Sequence, residues 1–198
     1  MPVQEIWAGN AHYTVASSDA GPDAIRIAGD RTTVGWALRE VLVAATLCND
    51  AAVKRHGGDW QIDGNATDRA LLAAAIKGGL DPTVIRDAAP RIGELAQVPD
   101  WQATAHLSNH GAQLFLKGSP ESVLSRCCAM LDTHGRHWAL DPADVEERAA
   151  AMRQRSLSVV AFARGALNEI RPPTAADCGQ DLIFVGLAGL LLEPATLP

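Results

Sequence analysis

Ala112-Gln113-Leu114-Phe115-Leu116-Lys117-Gly118-Ser119-Pro120-Glu121, residues 112–121, places a lysine where an apolar strand hands over to a helix. Residues 114–116 read as strand, and Gly118 offers the backbone freedom for a sharp turn. Ser119 is suited to cap the next helix and Pro120 to enter its first turn. Glu121 then lies near the positive end of that helix. A lysine at such a junction can point into a pocket, so Lys117 is the first candidate site residue.

The flanking sequence supplies the rest of a sheet. Residues 104–107 and 113–116 flank Ser108-Asn109-His110-Gly111, which has the turn chemistry of a β-hairpin loop, and residues 92–98 extend as a further strand. Downstream, a helix is expected over 120–128. Another is expected over 141–154, where Asp141 is an N-cap and Val145, Arg148, Ala149 and Met152 share a face. Residues 157–163 and 182–187 supply two more strands, separated by a polar loop at 168–179.

Toward the N-terminus, residues 6–16 hold short strand-like pieces, 17–30 form a loop region with Gly, Pro and Asp breakers, and 33–47 read as a helix. His56-Gly57-Gly58 turns into a short strand at 60–62. Asn65 or Thr67 opens a helix that Gly78-Gly79 stops, and Asp81 opens another. Hairpins and separated helices favour an α+β domain, with an antiparallel β-sheet flanked by helices, over a doubly wound parallel one.

Length and composition fit one domain over residues 1–198, since 47% hydrophobic residues suffice for a sizeable core. A formal net charge of −6 argues against nucleic acid or an anionic membrane surface as the main partner. Apolar runs such as 41–48 and 183–192 fall short of the roughly 20 residues a spanning helix needs. Met1-Pro2-Val3-Gln4-Glu5 lacks the basic and apolar regions of a signal peptide. Cys48, Cys127, Cys128 and Cys178 have no metal-site spacing and are expected as reduced thiols, the adjacent pair on different faces of a helix. His134-Gly135-Arg136-His137 reads as a solvated turn, and no metal site is expected.

Lys117-Gly118-Ser119-Pro120-Glu121 resembles the Lys-Gly-Ala-Pro-Glu motif in the nucleotide-binding domain of P-type cation-transporting ATPases. Four other stretches resemble that domain in the same order. They are Leu47-Cys48-Asn49-Asp50-Ala51, Gly64-Asn65-Ala66-Thr67-Asp68-Arg69-Ala70-Leu71 (similar to Gly-x-Pro-Thr-Glu-x-Ala-Leu), and the strands at 157–164 and 181–189. The likeness spans about residues 1–195. It implies an antiparallel sheet with helices, inserted as a cap into a phosphorylation domain. The absence of a His-Pro pair sets the chain apart from the heavy-metal branch; a calcium, magnesium or other cation pump is the closer likeness.

In the resembling family the motif lysine lies in the adenosine pocket and a phenylalanine stacks on adenine. The acidic residue of the Thr-Glu motif bonds the base, and an arginine near the late strand reaches the phosphates. Lys117 and Asp68 match two of these positions, with Gly118 and Ser119 beside the lysine. Two positions depart. Aligned without gaps on Ile-Pro-Phe-Ser-Ser-x-x-Lys-x-Met, the chain has Asp100 at the phenylalanine, with Trp101 one residue off. The late strand has Ser158 at the arginine, with Arg155 three residues earlier and Arg153 nearby. The candidate ATP-binding residues are therefore Lys117, Gly118, Asp68, Trp101, Ser119 and Arg155, where Trp101 replaces the ring and Arg155 or Arg153 the arginine.

Each of these residues also has a plainer reading. Lys117 can be a solvated lysine after a strand, Asp68 a first-turn helix acid, Trp101 a packing residue, and Asn49 or Asp50 a loop tether. The family's phosphorylated Asp-Lys-Thr-Gly-Thr and its magnesium-holding Gly-Asp-Gly are both missing, so no catalytic residue is assigned and the isolated chain is not expected to hydrolyse ATP.

Two roles follow from the likeness. One is an ATP-binding domain that presents Mg-ATP to an aspartate outside this chain. The other is a degenerate domain with a structural or regulatory role and little nucleotide binding. An independent small-molecule enzyme has no supporting constellation. The implied setting is the cytosolic side of an integral protein of the plasma membrane, touching phosphorylation and actuator domains and not the bilayer. The ends of the sequence, including Leu192-Glu193-Pro194-Ala195, look like cuts from such a pump. On this reading Lys117→Ala weakens ATP binding without unfolding the domain.

Overall fold

Residues 111–118 form one of the central strands of a large sheet in the computed structural model, which describes residues 1–16, 25–27, 35–57, 59–98 and 100–192. The strands are Val3–Ala8 (β1), Ala11–Val15 (β2), Ile25–Ile27 (β3), Ala52–His56 (β4), Asp59–Asp63 (β5), Arg91–Val98 (β6), Trp101–Ser108 (β7), Gly111–Gly118 (β8), Cys127–Leu131 (β9), His137–Ala139 (β10), Leu157–Ala166 (β11) and Leu182–Leu191 (β12). The helices are Trp36–Leu47 (α1), Ala66–Lys77 (α2), Pro82–Ala88 (α3), Pro120–Leu124 (α4) and Pro142–Gln154 (α5).

Among the described residues the main sheet runs β3-β2-β1-β12-β11-β8-β7-β6, with β9 joining β12 and β10 joining β9, while β4 and β5 form a separate hairpin. Every pairing is antiparallel except β12 with β9. The expected α+β class, an antiparallel sheet flanked by helices, is the one observed. Of the readings above, the 17–24 and 28–30 parts of the loop, the helix start at Thr33, Gly58, Pro99 and the segment 193–195 lie outside the described residues.

Strand alternation sorts the core into two layers. Even positions of β8, namely Ala112, Leu114 and Leu116, pack with Trp101, Ala103 and Ala105 of β7 and with Val145, Ala149 and Met152 of α5. Odd positions face the other way, where Phe115 packs with Phe162 of β11, Leu38, Val41 and Leu42 of α1, and Leu71 and Ala75 of α2. Gly186, with φ of 156°, shifts β12 by one residue, so Leu182 and Phe184 join the first layer together with Leu187. A Cβ at Gly186 would stand 2.4 Å from the Trp7 carbonyl, which is why this bulge carries glycine.

Local cap chemistry set the helix starts as the sequence suggested. Asn65, Asp81, Ser119 and Asp141 cap α2, α3, α4 and α5 with their side chains. The helix expected over 120–128 is shorter. It stops at Leu124, and Cys127 and Cys128 belong to β9, because Cys127, Ala129 and Met130 find backbone partners in β12. The two cysteines therefore take opposite sides of a strand, Cys128 exposed and Cys127 half-buried. All four cysteines are free.

Candidate functional site

The end of β8 delivers Lys117 onto the layer that holds α1 and α2. Cross-strand partners Gln102 and Phe162 lie on either side of it. Asp68, in the first turn of α2, meets it there: the Lys117 ammonium donates to Asp68 Oδ1. Asp68 is only 1% exposed and the Lys117 side chain 11%, so this is an internal ion pair. Asn65, the cap of α2, orients the carboxylate, accepting from the Asp68 N–H at 2.8 Å and donating its amide to Asp68 Oδ2 at 3.0 Å.

The Cys48-Asn49-Asp50-Ala51 segment closes over the pair. The Asp50 N–H donates to Asp68 Oδ2 at 3.0 Å, and the Asn49 amide donates to the carbonyls of Asp68 and Ala45 at 2.9 and 3.0 Å. Asp50 in turn accepts from Arg91 and Gln102, each at 2.7 Å. Asp68 thus has three donors besides its own cap geometry, and among the described residues no buried side-chain polar atom is left unpartnered. Cys48 donates its thiol to the Gln102 carbonyl at 3.4 Å, and burial pushes that thiol up to about 11, which leaves it an inert core group.

Burial alone would raise the Asp50 carboxyl, but the hydrogen bonds from Arg91 and Gln102 and the charge of Arg91 outweigh it and hold the group below its ordinary value. A carboxyl depressed in the fold adds stability above its unfolded value and loses it as pH falls through the folded one. Acid loosening of the 48–51 segment is therefore expected only below about pH 4. In Asp50→Asn that part of the acid limb of a stability–pH profile should flatten, which urea melts across the acid range would measure.

The other predicted residues lie elsewhere. Trp101 pairs with Gly118, one position from Lys117, so its side chain enters the opposite layer. It is 8% exposed, and the Arg126 guanidinium carbon lies 4.5 Å from its ring centroid. Arg155 follows α5 and grips Glu5 with two bonds, at 2.8 and 2.6 Å, while His12 meets the same carboxylate at 3.1 Å. Arg153 pairs with Glu121 at 2.7 Å. Because α5 covers the layer opposite Lys117, neither arginine meets the lysine, and Trp101, Arg155, Lys117 and Asp68 do not line one pocket. Ser158 does face the Lys117 layer, in step with Phe162, but carries no charge.

Gly118 has a different purpose from the sharp turn expected of it. It stays in β8 without a positive φ, and a Cβ there would stand 2.4 Å from the Asp100 carbonyl and 2.6 Å from Trp101 Cβ. That same carbonyl accepts from the Ser119 N–H at 2.9 Å, and Ser119 then caps α4 by accepting from the Ser122 N–H at 3.3 Å. Only residues 99 and 100 separate β6 from β7, whose first pair is Val98 with Trp101. The strand begins where the family pattern runs on through Phe-Ser-Ser-x-x-Lys.

Sequence reading missed Arg86, Arg91, Gln102 and His106, which surround the same hub. Arg86 donates to the carbonyls of Thr46, Ala51 and Asn49 at 3.3, 2.9 and 3.2 Å. No local signal marks these residues; they lie on α3, β6 and β7 and converge only through the sheet. Among the described residues there is no group of three or more His, Cys, Asp or Glu placed to hold a metal ion, and no helix is long and apolar enough to cross a membrane.

Comparison with known proteins matches residues 37–194 to the family described as P-type ATPase, cytoplasmic domain N. Cation-transporting ATPase pma1 of Synechocystis is 32% identical over 207 residues, covering 98% of this chain and 22% of the relative. The probable cation-transporting ATPase F of Mycobacterium tuberculosis is 30% identical over 172 residues, 84% of this chain and 19% of the relative. A calcium-transporting ATPase of Bacillus subtilis is 23% identical over 207 residues, 98% of this chain and 23% of the relative. The chain spans about a fifth of the length of the curated relatives it matches, 22% and 19% in the first two cases.

Proposed function

Because the chain belongs to the P-type ATPase cytoplasmic N-domain family, we propose that it works as one domain of a larger cation-transporting pump and acts there as a structural or regulatory cap that holds nucleotide weakly. The observation that carries this reading is the closed Lys117–Asp68 pair, with Trp101 and Arg155 turned into the opposite layer. Disrupting a buried ion pair costs about 3–5 kcal/mol. A millimolar nucleotide site yields only about 4 kcal/mol in total. The rings beside Lys117 on this face, Phe115 and Phe162, are buried in the core, so they offer no open surface for stacking, worth roughly 1–3 kcal/mol per base.

Within the pump the domain contacts phosphorylation and actuator domains on the cytosolic side of the plasma membrane, and the relatives' names point to a cation, calcium among the candidates, as cargo. Nucleotide titration tests the reading. With ATP and AMP-PCP at several millimolar, amide and side-chain NMR signals of Lys117, Asp68 and Gln102 should stay in place. Saturable shifts there at submillimolar nucleotide would overturn it.

One observation favours the second role, a domain that presents Mg-ATP to an aspartate outside this chain. Lys117 and Asp68, 49 positions apart, converge on one face, as a shared base site requires. On that reading the base replaces each charge's partner when it enters. The same titration separates the two, since Lys117 and Asp68 signals must then move together and saturate.

A further inference from the structure

A cleft of about 300 Å³ opens beside the hub, between the end of α1, the start of β4 and the first residue of β6. Two guanidinium groups converge on it. Arg86 donates to the Asn49 carbonyl at 3.2 Å and Arg91 donates to the same oxygen at 2.8 Å. Arg91 has Asp50 and Glu94 as carboxylate partners, at 2.7 and 2.9 Å. Arg86 has no carboxylate within ion-pair distance among the described residues, and its recorded bonds all go to main-chain carbonyls.

Arg86 and Arg91 set two cations against the Asp50 carboxylate in the cleft lining, and Glu94, outside the lining, also pairs with Arg91. Burial, and after it the charge of Arg91, holds the Arg86 guanidinium below its ordinary value. His106 forms part of the wall and is 2% exposed. Its Nδ1 lies 2.9 Å from the Ala89 carbonyl and its Nε2 3.0 Å from Thr104 Oγ1. Burial first, and then Arg91 and Arg86, push its value down, so it stays neutral and Asp50 is the one acidic residue lining the cleft. Carbonyl dipoles at the end of α1 offset part of this charge. They take one N–H from each of the three Arg86 nitrogens, which leaves one donor on each terminal nitrogen, while Arg91, whose terminal nitrogens bond Asp50, Glu94, Leu47 and Asn49, keeps its Nε–H.

We propose that this cleft is a binding site for a tetrahedral oxyanion, phosphate or sulfate, with Arg86 and Arg91 as its charge-assisted donors. The site takes the anion alone and includes no base-binding surface. It stands on these residues and not on the pump reading. The competing description is a clamp in which the two arginines do no more than hold the end of α1.

The test is an NMR titration of the whole chain with sodium phosphate, sulfate and chloride at matched ionic strength, reading the Arg86 and Arg91 side-chain Nε signals. Phosphate and sulfate should give saturable shifts with dissociation constants on the order of millimolar, and chloride none. Asp50→Asn removes the carboxylate that competes for Arg91 and should tighten phosphate about tenfold, equivalent to about 1.4 kcal/mol. An unfolded protein cannot mimic that gain.

Tripolyphosphate and ATP should shift Arg86 equally. A larger response to ATP, accompanied by movement of Lys117 and Asp68, would make the anion part of a nucleotide pocket and overturn the proposal. No saturable shift up to about 50 mM phosphate, well above the millimolar range expected of such contacts, or unchanged affinity in Asp50→Asn, would leave only the clamp.

Discussion

Lys117→Met is expected to lower the stability of this domain by about 3–5 kcal/mol, because it leaves the Asp68 carboxylate buried without its cation. For a chain of this length that corresponds to a drop in melting temperature of roughly 6–20 °C. Sequence reasoning pointed the other way, toward a lysine that serves a ligand and can be removed without harm to the fold. The difference comes from Asp68, which is sealed under the Asn49-Asp50 segment and cannot regain water when Lys117 is removed. Thermal melts of wild type and variant decide it. A change below about 1 kcal/mol, the range of an exposed pair, would place the lysine at the surface.

Gly118→Ala is expected to cost about 1–3 kcal/mol, the usual penalty for forcing a methyl group into filled space. The new Cβ would stand 2.4 Å from the Asp100 carbonyl and 2.6 Å from Trp101 Cβ, and the first of these is backbone that cannot swing aside. Relief requires β7 and β8 to part at the pair Trp101–Gly118, which also weakens the Ser119 N–H bond to Asp100. Urea unfolding measures the loss, and weaker amide protection at Ser119 localises it. For contrast, Arg155→Ala removes a half-exposed pair with Glu5 and should change stability by about 0.2–1 kcal/mol.

Much of the fold was legible because its signals are local. Asn65, Asp81, Ser119 and Asp141 announce helices through cap chemistry that acts within three residues. Residues 127 and 128 were read as the end of a helix, and the strand over 127–131 was missed, because the partner that makes it a strand, β12, lies some fifty residues later in the chain. An apolar run of that length is ambiguous by pattern alone. The hairpin β4–β5 was half seen for a similar reason, since Ala52–His56 is mostly exposed and offers no apolar alternation.

The site divides the same way. Lys117 and Asp68 were found from short motifs, and the fold brings them together. Trp101 was placed in the pocket because it stands one residue from the position of the family's stacking phenylalanine, although strand parity decides its side. Once Asn109-His110 is taken as a two-residue turn, residue 111 pairs with 108 and residue 118 with 101, which puts Trp101 and Lys117 on opposite faces. That signal was present in the sequence. Arg86 and Arg91 carried none, because the main-chain carbonyls after α1 that they share, and the Asp50 carboxylate that Arg91 also binds, lie some forty residues away.

A double-mutant cycle on Lys117 and Asp68, using Lys117→Met, Asp68→Leu and the combined variant in urea unfolding, tests most directly whether these two charges complete each other inside the fold. The closed pair predicts a coupling of at least about 2 kcal/mol, with the combined variant far less destabilised than the two single changes added together. Additive effects, within about 0.5 kcal/mol, would mean that Lys117 and Asp68 act separately, and would return both residues to a ligand.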